Sequence, residues 1–157
     1  MTQQAPLLLT RLTGTVARPI ESVFDFVSDH ENYQRWYPGV ESVTALDDSP
    51  PGAIGKAYVE IIRMPGGRLQ EIRIETVRSE RPVLFVTEGD YAPLLPQMSF
   101  ELAAAGPDET QITWTFRSRL ASPIRRLMAR LLFRPILKRQ AVVAMANLTR
   151  CLEQAAG

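Results

Sequence analysis

Residues 15–40, TVARPIESVFDFVSDHENYQRWYPGV, decide the fold of this 157-residue chain. The segment opens as the end of a strand, and Pro19 stops the ladder there because it has no backbone N–H to donate. From Ile20 the apolar spacing changes, so that Ile20, Val23, Phe24 and Val27 fall on one helical face. Asp29 then offers an oxygen to cap a second short helix ending near Trp36, just before Pro38-Gly39. Helices this short do not persist alone, because nucleation is costly, so both must pack on a sheet.

The sheet is legible on either side. Leu8–Ala17 precedes the segment as a strand, and Val40–Leu46 follows it, closed by the loop Asp47–Gly52. Lys56–Met64 and Arg68–Arg78 read as a hairpin around Pro65-Gly66-Gly67. Glu71, Arg73 and Glu75 alternate there with Ile72 and Ile74, giving one wet and one dry face. Pro82 opens a strand over Val83–Glu88, and a last hairpin joins Met98–Ala104 to Gln111–Leu120 around residues 106–109. In that hairpin Met98, Phe100 and Leu102 share a face with Ile112, Trp114 and Phe116, while Thr113, Thr115, Arg117 and Arg119 take the other.

Ser122-Pro123 starts a helix, with a capping hydroxyl and a proline in the first turn. The helix runs to about Gln154, and Pro135 predicts a kink near Leu131–Pro135. The apolar stripe is Ile124, Leu127, Met128, Leu131 and Leu132 before the kink, then Leu137, Ala141, Met145, Leu148 and Leu152. The first piece is expected to cover an end of the sheet and the second to lie in its concavity, leaving an apolar cavity between sheet and helix.

Composition narrows the function. Hydrophobic residues are 45% and charged residues 22%, ordinary for a globular domain. A net charge of +1 argues against a general nucleic-acid binder. The single cysteine, Cys151, points to a reducing compartment and a structural thiol. No signal peptide or membrane-length apolar run is evident, so a cytoplasmic protein is expected. One histidine and a distant cysteine offer no zinc-ligand spacing, and neither a metal nor a cofactor is expected.

Few residues suggest chemistry. His30 reads as an exposed turn residue between acidic neighbours. Trp36 reads as a packing residue, while Tyr37 suits either packing or a cavity mouth. Pairing Met64 with Arg68 would set Tyr58, Glu60, Ile62 and Met64 beside Ile72 and Ile74, inside. A slip of one residue would send Glu60 to solvent. An interior Glu60 is the candidate acid, and Glu88, at a strand end, is a weaker one. Asp90–Pro96 is a proline-bracketed apolar loop suited to a lid. Arg125, Arg126, Arg130, Arg134, Lys138 and Arg139 have no acid among them. Arg126, Arg130 and Arg134 form either a solvated face or a contact with anionic membrane.

On these residues the chain resembles the START-like, helix-grip superfamily, in its polyketide cyclase/dehydrase (SRPBCC) branch. The resemblance rests on ARPIESVFDFVSDHENYQRWYPGV, with Gly55-Lys56 entering a strand, the Arg81-Pro82 step and the arginine-rich terminal helix. It implies one α+β domain, structured over about residues 8–154. Its curved antiparallel sheet, in the order strand, two helices, six strands, helix, would grip a long kinked C-terminal helix. It also implies a hydrophobic ligand, lipid, polyketide-like or quinone-like. The alternatives are a cyclase/dehydrase acting in the same cavity and a lipid or quinone carrier that docks on membranes. The expected lining is Tyr58, Glu60, Ile72, Ile74, Tyr91, Met98, Phe100, Trp114, Phe116, Met145 and Leu148.

Overall fold

The computed structural model describes residues 4–155. Strand β1 (Leu7–Val16) leads into helix α1 (Ile20–Ser28) and a 3-10 helix (His30–Arg35), which Asp29 caps by accepting from the Glu31 N–H. Six strands follow: β2 (Val40–Ala45), β3 (Ala57–Arg63), β4 (Leu69–Glu80), β5 (Leu84–Asp90), β6 (Pro96–Gly106) and β7 (Glu109–Ser118). Helices α2 (Pro123–Leu132) and α3 (Arg134–Gln154) close the chain. The break between them falls at Phe133, within the segment where Pro135 predicts it.

All seven strands form one antiparallel sheet in the order β1-β7-β6-β5-β4-β3-β2. β1 and β2, adjacent in sequence, are thus the opposite edges, because the α1 and 3-10 segment carries the chain across the concave face. Register shifts in β1, β2, β4 and β6 bend the sheet. α3 lies along β1 and is tied to the 3-10 helix, where Asn147 Nδ2 donates to the Trp36 carbonyl at 3.0 Å. This is the helix-grip arrangement expected above.

The core divides the concavity in two. Side chains three apart eclipse in a 3-10 helix, so His30, Tyr33 and Trp36 line up on one buried face. Trp36 stands edge-on to Phe100 and to Trp114, each at 5.9 Å between ring centroids. Leu148 and Leu152 of α3 are buried in the same continuous core.

α2 departs from expectation. Its stripe does not cover the sheet: Ile124, Leu127, Met128, Leu131 and Leu132 are 75, 54, 49, 63 and 56% exposed. Only Ala129 is buried, and Arg126 is drawn inward to donate to the carbonyls of Ala5 and Leu120. The second stripe behaves as expected, with Leu137, Ala141, Leu148 and Leu152 buried and Met145 half-buried.

Candidate binding cavity

The unfilled half of the concavity lies between the inner face of β3–β6 and the first turns of α3. It holds a cavity of about 100 Å³ whose lining is mostly apolar. Turn chemistry sets one wall. The Met64 N–H donates to the Arg68 carbonyl across the Pro65-Gly66-Gly67 turn, which pairs Glu60 with Ile72 and Tyr58 with Ile74. Glu60, Ile62, Ile72 and Ile74 therefore face inward onto the cavity. Met98 and Phe116 come from the last hairpin, and Phe133, Ile136, Leu137 and Gln140 from the α2–α3 junction and α3. Gly89 is tight against the same wall: a Cβ there would lie 2.8 Å from Pro96 Cγ and 3.0 Å from Ile74 Cδ1.

One corner of this apolar space is polar. His30 Nε2 lies 3.2 Å from Glu60 Oε2, with the two residues only 3 and 5% exposed. A buried carboxylate needs such a partner, since burying it alone is costly. The imidazole is stacked on Tyr33 at 4.8 Å, and Tyr33 on Tyr37 at 4.7 Å. The Tyr37 hydroxyl donates to Gln140 Oε1 at 2.9 Å, linking the corner to α3. Burial, followed by the charges of its neighbours Tyr37 and Glu60, holds the Tyr33 hydroxyl well above the usual tyrosine range. Burial and then the Glu60 charge raise Tyr37 likewise. Both phenols are therefore neutral donors at ordinary pH.

His30 is not the exposed turn residue its acidic neighbours suggest: it is 3% exposed. Asp29 caps the 3-10 helix as expected, but the ring turns inward along the His30, Tyr33, Trp36 row to meet Glu60. The three-residue spacing of His30, Tyr33 and Trp36 is the sequence signal for this inward row. Of the expected lining, Glu60, Ile72, Ile74, Tyr91, Met98 and Phe116 stand on the cavity wall. Tyr58, Phe100, Trp114, Met145 and Leu148 do not. Tyr58 is wholly buried beside His30, and burial pushes its hydroxyl up to about 12. Phe100 and Trp114 pack edge-on against Trp36, Leu148 is buried in the core, and Met145 packs against Gly14 of β1. Glu88 is off the wall, accepting from Gln97 Nε2 at 2.9 Å with Arg119 Nε at 3.7 Å.

The loop between β5 and β6 closes one side of the cavity. Tyr91, Leu94 and Pro96 face it, and Leu94 is buried. Leu95 holds a φ of 46°, the left-handed region that a branched apolar residue rarely enters. The Tyr91 carbonyl accepts from both Leu94 and Leu95 N–H groups, and the Leu95 carbonyl accepts from Arg119 N–H at 2.9 Å.

Comparison with known proteins agrees with this architecture. Residues 10–153 match the family described as polyketide cyclase/dehydrase and lipid transport, and the chain belongs to that family. The Zhui aromatase/cyclase from Streptomyces sp. R1128 superposes with a TM-score of 0.74 at 17% identity, covering 94% of each chain. A protein of Thermus thermophilus gives 0.72 at 14% identity, covering 94% of this chain and 99% of its own. The di-domain aromatase/cyclase StfQ from the steffimycin biosynthetic pathway gives 0.70 at 13%, covering 96% of this chain and 52% of its own. At these identities the likeness is one of fold. No curated protein is significantly similar in sequence.

Proposed function

We propose that this protein binds a hydrophobic small molecule in the cavity between the sheet and α3, with a hydrogen-bonding end of the ligand at the His30–Glu60–Tyr37 corner. The observation that carries this reading is a mostly apolar hollow with a few polar groups, several of them gathered at the His30–Glu60 corner, the pattern of small-molecule sites. Apolar ligand area leaving water would supply the drive, at about 25 cal/mol per Å² before ordering costs. A volume of about 100 Å³ is small for a ring-bearing ligand, since such sites run to about 300–1,000 Å³. Entry therefore displaces the Tyr91–Leu95 loop, which the left-handed Leu95 helps to release: that conformation costs about 1–2 kcal/mol. A reducing, cytoplasmic setting accords with a sequence that has one cysteine.

The test is a fluorescence titration with a neutral naphthylamine probe. Wild type is expected to bind with saturation. Ile136→Trp, which fills the mouth at a part-exposed position, is expected to lose binding while unfolding at the same temperature. Equal binding by the two proteins would sink the assignment of the site.

The dyad favours a second reading, a cyclase/dehydrase acting in the same cavity. Glu60, with His30 hydrogen-bonded to it, would take a proton from carbon as the bond pair becomes C=C. A neutral tyrosine beside it would give the departing hydroxyl its proton, so that water leaves, and would take back the proton held by Glu60 to restore the site. Glu60→Gln keeps the shape and a hydrogen bond to His30. Under this reading it abolishes turnover of a hydroxylated polyketide-like substrate while probe binding stays nearly intact; unchanged turnover would exclude it.

A further inference from the structure

We infer that α2 is a docking element for anionic membrane surfaces, lying in the lipid interface with Ile124, Leu127, Met128, Leu131 and Leu132 inserted. At about 100° per residue these five side chains fall on one face. That face is turned away from the protein, and all five are about half exposed or more. α2 rests instead on Ala129, on Arg126 bound to the backbone, and on the start of α3. A helix that turns its apolar side to solvent and its arginine inward needs something to cover that side.

Charge identifies the cover. Between Glu109 and Glu153 the sequence contains no acidic residue but nine arginines and lysines. At about 100° per residue Arg125 flanks the apolar face on one side and Arg130 on the other, and Arg134, part-exposed, follows at the start of α3. Among the described residues, none of Arg125, Arg130, Arg134, Lys138 and Arg139 forms an ion pair. An apolar stripe bordered by free cations is the pattern of a helix lying in an anionic interface. A second copy fits poorly, because a two-fold contact would set this cationic patch against itself. No described helix is long and apolar enough to cross a membrane. α2 also leads directly into Phe133 and Ile136, which line the cavity. An apolar molecule leaving the bilayer at this helix is delivered at the cavity wall.

The experiment is co-sedimentation of the purified full chain with vesicles of phosphatidylcholine alone, or with roughly 30% phosphatidylserine added. Wild type is expected to sediment with the anionic vesicles only. Raising salt from about 0.1 M to 1 M shortens the screening length from about 10 to 3 Å and should release it. Arg130→Gln is expected to weaken binding about fivefold, the share of one basic residue near such a surface. The pair Leu127→Ser with Leu131→Ser should weaken it by about tenfold or more for each leucine. Both are surface positions, and an unchanged melting temperature shows that the fold is kept. Docking needs no ligand, so the Ile136→Trp protein should still sediment, which separates this result from the fate of the cavity reading. Equal sedimentation with neutral and anionic vesicles, or none with either, overturns the inference. So does a wild-type dimer in solution that the serine pair dissolves, for the cover would then be a second copy.

Discussion

Replacing His30 by Phe isolates what holds the polar corner together. Phe can keep the ring stacked on Tyr33, now at 4.8 Å, and removes only the 3.2 Å bond to Glu60. The carboxylate then stays in a site where its side chain is 6% exposed, facing a mostly apolar cavity, with no lysine or arginine paired to it among the described residues. Breaking a buried pair by removing one partner costs about 3–5 kcal/mol. For a chain of this length each kcal/mol moves the midpoint by about 2–4 °C, so a fall of roughly 6–20 °C is expected. Replacing both members, His30→Phe with Glu60→Leu, removes the stranded charge and should restore stability to about the wild-type level or above it. The assays are thermal unfolding for the midpoint and equilibrium urea unfolding for the free energy, both followed by tryptophan fluorescence, since Trp36 and Trp114 are buried in the core. A coupling energy of about 3 kcal/mol or more between the two sites is the expected result. If His30→Phe costs less than about 1 kcal/mol and the double replacement is additive, the carboxylate is solvated through the cavity. The corner would then not be a site that needs the His30–Glu60 bond to hold a buried carboxylate.

Further outcomes are expected elsewhere in the molecule. Gly89→Ala places a methyl 2.8 Å from Pro96 Cγ and 3.0 Å from Ile74 Cδ1. Overpacking of that kind costs about 1–3 kcal/mol by urea unfolding, and probe affinity should fall with it because the same wall lines the cavity. Tyr37→Phe deletes the bond to Gln140 and should cost about 0.5–1.5 kcal/mol, which a comparison of urea midpoints would show. Alkali tests the buried phenols. Tyr58 titrates at about 12 in the folded chain, above the ordinary value of 10.0, and Tyr33 and Tyr37 are raised too. The unfolded chain therefore releases these protons first, and stability should be full below pH 10 and fall as pH rises from there toward 12. Absorbance at alkaline pH should show these tyrosines ionising together with unfolding; free titration of all tyrosines near the ordinary value, with the fold intact, would contradict their burial.

Local chemistry in the sequence decided the elements and much of their order. Pro19, the switch from alternating to helical spacing at Ile20, the Pro65-Gly66-Gly67 turn and Ser122-Pro123 each act over a few residues, and the structure follows each of them. The turn even set the register that brings Glu60 opposite Ile72, because a short hairpin connection fixes which residues pair. Parity likewise put Met98, Phe100, Trp114 and Phe116 on the inner face. Whether an inner residue meets packed side chains or open space depends on what lies across the sheet. The aromatic row of the 3-10 helix fills the concavity over Phe100 and Trp114 and leaves Met98 and Phe116 beside the hollow. His30 has a partner only because β3 brings Glu60 to it from thirty positions away in the chain. The same limit explains α2: periodicity shows that a helix has an apolar side, while only the packing of Ala129 and Arg126 against the rest of the protein decides that this side faces out.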